Sequence, residues 1–153
     1  MEKKRALISV YDKTGITELA RELASLGWEL LSSSGTANHL RKAALTVTEV
    51  SDITGYPHIL GGRVKTLHPL IFGGILARRE NPADMKDTGE YSIPLLDMIV
   101  CNLYPFEETA RKKSTLDDLL ENIDIGGVSL LRAAAKNFRQ VVVLTDPSDY
   151  AAA

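Results

Sequence analysis

The stretch "GGRVKTLHP", Gly61 to Pro69, sets Arg63, Lys65 and His68 between a glycine pair and a proline, with neither helical nor strand period. Why charge should collect on irregular backbone is the question the stretch raises; local cations are all that a local anion site needs. Two further stretches offer related chemistry. "SVYDKTG" (9–15) and "SSSGTA" (32–37) carry hydroxyls, and each leads from an apolar run into a helix start. Free N–H groups and the positive dipole end make such a place suited to phosphate, and Lys13 adds a full charge to the first. Taken singly, Ser9, Ser32 and Thr36 read as helix caps. Two such loops in adjacent strand–helix units shift the balance toward an anion site. No "G-x-x-x-x-G-K-[ST]" occurs and no "G-x-G-x-x-G" follows the first apolar run, so a Walker loop is excluded and a dinucleotide site is not expected.

A second constellation lies on "VSLLRAAAKNF" (128–138), a strongly apolar helix that should be mostly buried. Arg132 and Lys136 share one face of it, where like charges repel by a few tenths of a kcal/mol. A surface stripe is the plain reading; a cleft holding an anion is the more economical one. Just before it, "NIDIGG" (122–127) puts Asp124 at a glycine-softened turn. In "CNLYPF" (101–106) a strand ends at a proline, and Asn102 and Tyr104 have the same side-chain parity, so they can project together beyond a sheet. Packing alone would also explain Tyr104.

The elements that must position these groups alternate. "RALISV" (5–10), "WELLS" (28–32), "LTVTEV" (45–50), "DMIVCNLY" (97–104) and "QVVVLTD" (140–146) read as buried strands. Helices are expected at 15–26, where Ile16, Leu19, Ala20, Leu23 and Leu26 recur at spacings of three and four, and at 36–44, 114–123 and 128–138, with another starting at Pro147. This order predicts an α/β fold, a doubly wound, mainly parallel five-stranded sheet flanked by helices, as one domain over 1–153. The segment from Thr54 to Leu76, with five glycines and two prolines, is too long for an ordinary connection and reads as a structured functional loop.

With 153 residues, 44% hydrophobic and 25% charged, the chain is an ordinary globular one. A net charge of −2 argues against a dedicated nucleic-acid binder. The lone Cys101, inside an apolar run, excludes an internal disulfide and reads as a small buried hydrophobe; no Cys/His cluster has zinc spacing. No stretch has transmembrane length and the run after "MEKKR" is too short for a signal peptide, so a reducing, cytoplasmic setting is expected.

Taken together, "SVYDKTG", "SGTA", "GRVKTLHP", "GGILARR", "CNLYPF", "ENIDIGG" and "LLRAAAKN" resemble, in order, the inosine monophosphate cyclohydrolase domain of bifunctional purine biosynthesis enzymes. The resemblance covers the whole chain. It implies the methylglyoxal-synthase-like fold, and closure of a formamido imidazole carboxamide ribotide to inosine monophosphate with loss of water. It implies no metal and no cofactor. It also implies a homodimer, and a C-terminal formyltransferase domain that these residues do not include.

The resemblance carries roles onto named positions. Lys136 matches the proton donor and acceptor, and Lys65 a lysine suited to the developing oxyanion. Asn102, Tyr104 and Asp124 match polar groups around the reacting carboxamide and formyl. Tyr11, Asp12, Lys13, Ser33, Ser34, Gly35 and Thr36 match the nucleotide and phosphate cradle, with Arg63, Val64, Thr66, Cys101 and Ile125 in the same binding set. The chain departs from the family pattern at Tyr11, where serine is usual, at Ser34, where glycine is usual, and at Phe72 and Phe138, where histidine is common. Of the histidines, His68 alone lies in a family motif, and fixing the loop is its expected part. Two other readings share the fold: a nucleotide- or phosphate-sensing regulatory module, and a methylglyoxal synthase-type lyase.

Overall fold

The computed structural model describes residues 3–112 and 114–153. Strands β1 (Arg5–Ser9), β2 (Glu29–Ser32), β3 (Thr48–Glu49), β4 (Met98–Cys101) and β5 (Val142–Leu144) form one sheet in the order β3-β2-β1-β4-β5. Every pairing is parallel, with Leu7 opposite both Leu31 and Ile99. Strands covered on both faces need near-continuous apolar runs, and all of "MIVC" in β4 is buried.

Successive residues of β1 feed two cores. Ala6 and Ile8 pack with Ile16, Ala20, Leu30 and Leu40 under α1 (Ile16–Ser25) and α2 (Ser34–Lys42). Leu7 packs with Leu31, Ile71, Ile75, Leu130 and Ala134 on the opposite face. That face is covered by α3 (Val50–Thr54), α4 (Pro69–Leu76) and α8 (Gly126–Lys136). The doubly wound architecture expected from the alternating pattern is therefore present.

The departures have local causes. The third strand shrinks to two residues because Glu49 and Asp52 form a capping box that starts α3 at Val50. The long irregular segment ends at His68, whose Nδ1 accepts the Leu70 N–H at 3.2 Å and so caps α4. The "PLIFGGIL" run is thus a helix, and Gly74 is required there because a side chain would collide with the Pro94 carbonyl. Helices α5 (Pro82–Glu90) and α6 (Phe106–Arg111) were not expected from the pattern. The helix at 114–123 narrows to α7 (Leu116–Glu121), capped by Thr115. Pro147–Ala152 is a 3-10 turn.

Candidate functional site

A cleft of about 550 Å³ opens at the carboxyl edge of the sheet, walled by the loops that follow β1, β2 and β4. Chain connections leave the neighbouring strands β1 and β4 toward opposite faces, and such a switch point is where open parallel sheets bind ligands. The segment 61–66 folds over the cleft toward the start of α8: a side chain on Gly126 would lie 3.2 Å from the Thr66 hydroxyl.

The hydroxyls on two of its walls are not helix caps. Ser32 Oγ, fully buried, donates to the Ile8 carbonyl at 2.7 Å. Thr36 Oγ1 donates to the Val10 carbonyl at 3.0 Å, tying the first turn of α2 to the end of β1. Ser33, the residue before α2, makes no side-chain cap bond. The N–H groups of the first turn of α2 therefore face the cleft without a side-chain acceptor, the arrangement an anion would complete. Ser34 holds φ at 50°, in the left-handed region that glycine adopts without cost. Lys13 Nζ donates to the carbonyls of Tyr11 at 3.2 Å and Val10 at 3.4 Å, across the same end. Asp12 turns away to Thr14, whose hydroxyl and N–H bonds hold its carboxyl below the usual range.

The β4 loop grips the β1 loop. Asn102 Oδ1 accepts the N–H groups of Tyr11 at 2.7 Å and Asp12 at 2.9 Å, and its Nδ2 donates to the Asp12 carbonyl at 2.9 Å. Asn102 is thus largely committed to holding backbone, a different task from touching a reacting carboxamide. The rings of Tyr11 and Tyr104 meet edge to face with centroids 5.5 Å apart and an interplanar angle of 76°.

Asp124 Oδ1 accepts the Gly127 N–H at 2.7 Å and so closes the start of α8, while Oδ2 has no protein donor among the described residues. Lys65 is half-buried and has no carboxylate partner among the described residues. Gly62, at φ 83°, lets the lysine stem pass, since a side chain there would strike Lys65 Cε. Arg63 pairs with Glu121 across the mouth of the cleft. Among the described residues no group of three or more His, Cys, Asp and Glu could hold a metal ion.

The cleft thus brings together Tyr11, Lys13, Ser33, Ser34, Gly35 and Thr36 with Arg63, Lys65 and Thr66, and with Asn102, Tyr104, Asp124 and Ile125. Four expected residues do not line it. Val64 faces a smaller neighbouring cavity of about 330 Å³. Asp12 shapes its loop from outside. Cys101 is buried beneath, where burial first and the Asp124 carboxylate second push its thiol up to about 12. Lys136 is exposed at the far end of α8, an 11-residue helix whose opening glycines form the cleft wall. At about 1.5 Å per residue that separates it by some 15 Å from Asp124's end of the helix, beyond a lysine's reach. Arg132 is likewise exposed, so the cation pair is a surface stripe. Leu120, Glu121 and Ile123 line the cleft without having been expected, because nothing in "LLENI" marks which face α7 turns inward.

The chain is 56% identical over 147 residues to the bifunctional purine biosynthesis protein PurH of Persephonella marina, a match covering 96% of this chain and 28% of the relative. It is 55% identical over 150 residues to PurH of Acetivibrio thermocellus, covering 97% of this chain and 29% of the relative. The chain therefore spans under a third of the length of these curated relatives. A solved structure described as the crystal structure of ForH superposes with a TM-score of 0.86 at 39% identity, covering 98% of this chain and 77% of that one. The model of the MGS-like domain matches residues 15–129, and with the five-stranded parallel sheet beneath it this chain belongs to the MGS-like domain family.

Proposed function

We propose that this chain is an inosine monophosphate cyclohydrolase, closing the formamido imidazole carboxamide ribotide to inosine monophosphate. The observation that carries the reading is one cleft in which a helix N-terminus without a side-chain cap bond and Lys13 meet Asp124, Tyr104 and Lys65, a lysine with no carboxylate partner among the described residues. The names of the two PurH relatives, which concern purine biosynthesis, support the substrate class.

The 5′-phosphate sits against the N–H groups at the start of α2, with Lys13 supplying charge. The carboxamide nitrogen attacks the formyl carbon, forming the C–N bond. Its proton goes to the open Oδ2 of Asp124, and the formyl oxygen gains negative charge that Lys65 meets. Lys65 protonates that oxygen to give the carbinolamine. The carbinolamine hydroxyl then leaves as water with the proton held by Asp124, passed directly or through Tyr104. The formamido nitrogen returns its N–H proton to Lys65 as the C=N bond forms. Held in attack geometry, the two groups of one substrate need little else. Asn102 and Thr36 act by holding the loops, and Lys136 has no part in the step. In a longer protein, a formyltransferase domain would supply the formyl group.

Purified chain incubated with the formamido ribotide is the test, followed by the absorbance of the purine product. Turnover that depends on Lys65 supports the reading. Tight binding of inosine monophosphate without turnover would instead favour a nucleotide sensor.

A further inference from the structure

We infer that Tyr11 is a positioning residue for the proposed ring closure: its ring sets the direction in which Tyr104 presents its hydroxyl to the cleft. The inference rests on the cyclohydrolase reading for the reaction, but the contact itself is independent of it. Both rings stand about half exposed, Tyr11 at 52% and Tyr104 at 43%, on loops that follow different strands. An isolated tyrosine so exposed would sample several rotamers. Here the two rings meet edge to face at 5.5 Å and 76°, the arrangement aromatic quadrupoles favour.

The backbone makes this contact more than a chance meeting of surface rings. Asn102 accepts the Tyr11 and Asp12 N–H groups and donates to the Asp12 carbonyl, so three bonds lock the two loops in one register. Asn102 lies two residues before Tyr104 in "CNLY". The clamp that fixes the Tyr11 backbone thus also fixes the segment from which Tyr104 projects. A small residue at position 11 would keep the clamp, which uses only main-chain atoms there, but would leave the Tyr104 ring without its neighbour.

Two variants of the chain test this, Tyr11→Ser and Tyr11→Phe. With ring-labelled tyrosine, the Tyr104 signals are identified by their loss in Tyr104→Phe and then compared without substrate. Tyr11→Ser is expected to move them, and Tyr11→Phe to leave them near their original position. In turnover, Tyr11→Ser should lower kcat about 2–10-fold, the range an edge-to-face pair is worth, with Tyr11→Phe recovering most of it. Unmoved Tyr104 signals in Tyr11→Ser would overturn the contact. A Tyr11→Phe variant as slow as Tyr11→Ser would overturn the positioning role, because the Tyr11 hydroxyl would then be the working group. Wild-type protein without turnover sinks the cyclohydrolase reading and the kinetic half of this inference together; the resonance comparison, made without substrate, is decided separately.

Discussion

Thr36 gives its hydroxyl proton to the carbonyl of Val10, 3.0 Å away, and its oxygen accepts the Val10 N–H at 3.4 Å, so both sides of the hydroxyl are turned to the loop after β1 and not to its own helix. With Ser33 making no cap bond either, the start of α2 stays open toward the cleft. An anion there is the partner the geometry lacks. Inosine monophosphate should therefore raise the melting temperature, since a ligand that binds only the native state stabilises it, and inosine should raise it much less. Equal protection by nucleotide and nucleoside in a thermal-shift titration would contradict the phosphate assignment. Lys13→Ala should raise KM and leave kcat largely intact, the pattern of lost uniform binding.

Ser34 sits at φ 50° at the first position of α2. Left-handed backbone costs a residue with a Cβ roughly 1–2 kcal/mol, which the greater freedom of unfolded glycine partly offsets. Ser34→Gly should therefore stabilise by up to about 1 kcal/mol, a rise of about 2–4 °C in Tm for a domain of this size. Calorimetry reads it directly. A fall in Tm would mean that the Ser34 side chain contributes a bond that outweighs the strain.

The two lysines with expected chemical roles part company in the fold. Lys65 lines the cleft and Lys136 stands exposed at the opposite end of α8. Lys65→Ala should lower kcat by about 10²–10³, as removal of an oxyanion donor does. Lys136→Ala should stay close to wild type. The reverse ranking in steady-state kinetics would restore Lys136 to the site and displace Lys65.

Cys101 is buried against β1 and α8, with its thiol pushed from 9.0 up to about 12, chiefly by burial. The folded protein then keeps a proton that the unfolded chain releases. This contribution to stability is intact below about pH 9 and is lost as pH rises toward about 12. A thiol reagent at pH 8 should react slowly with folded protein and promptly in denaturant. Rapid labelling of the folded state would show that the carboxyl end of β4 opens.

Much of this was legible in the order of residues, and the failures are instructive. β1, β2 and β4 are apolar runs that could only be buried, and α1 announces itself by spacing. α4 does not, because it has almost no polar face, and its glycines serve contacts with Ile93 and Pro94 distant in the chain. Thr36 and Asn102 were visible as polar residues at strand ends. Their hydrogen bonds to residues 26 and about 90 positions away were not, and these tie together the loops that wall the cleft. Lys136 stands away from the cleft for a similar reason: a motif preserves order along the chain, but a rigid helix decides which of its residues line a given wall.

The central claim is that the residues gathered at this sheet edge close a purine ring. Its most direct measurement is the rate of purine absorbance when the purified chain meets the formamido ribotide, run beside Lys65→Ala and Asp124→Asn. The account predicts saturable turnover by the wild type and severe loss in both variants. Wild-type turnover unchanged by both substitutions, or no turnover from protein that binds inosine monophosphate, would contradict it.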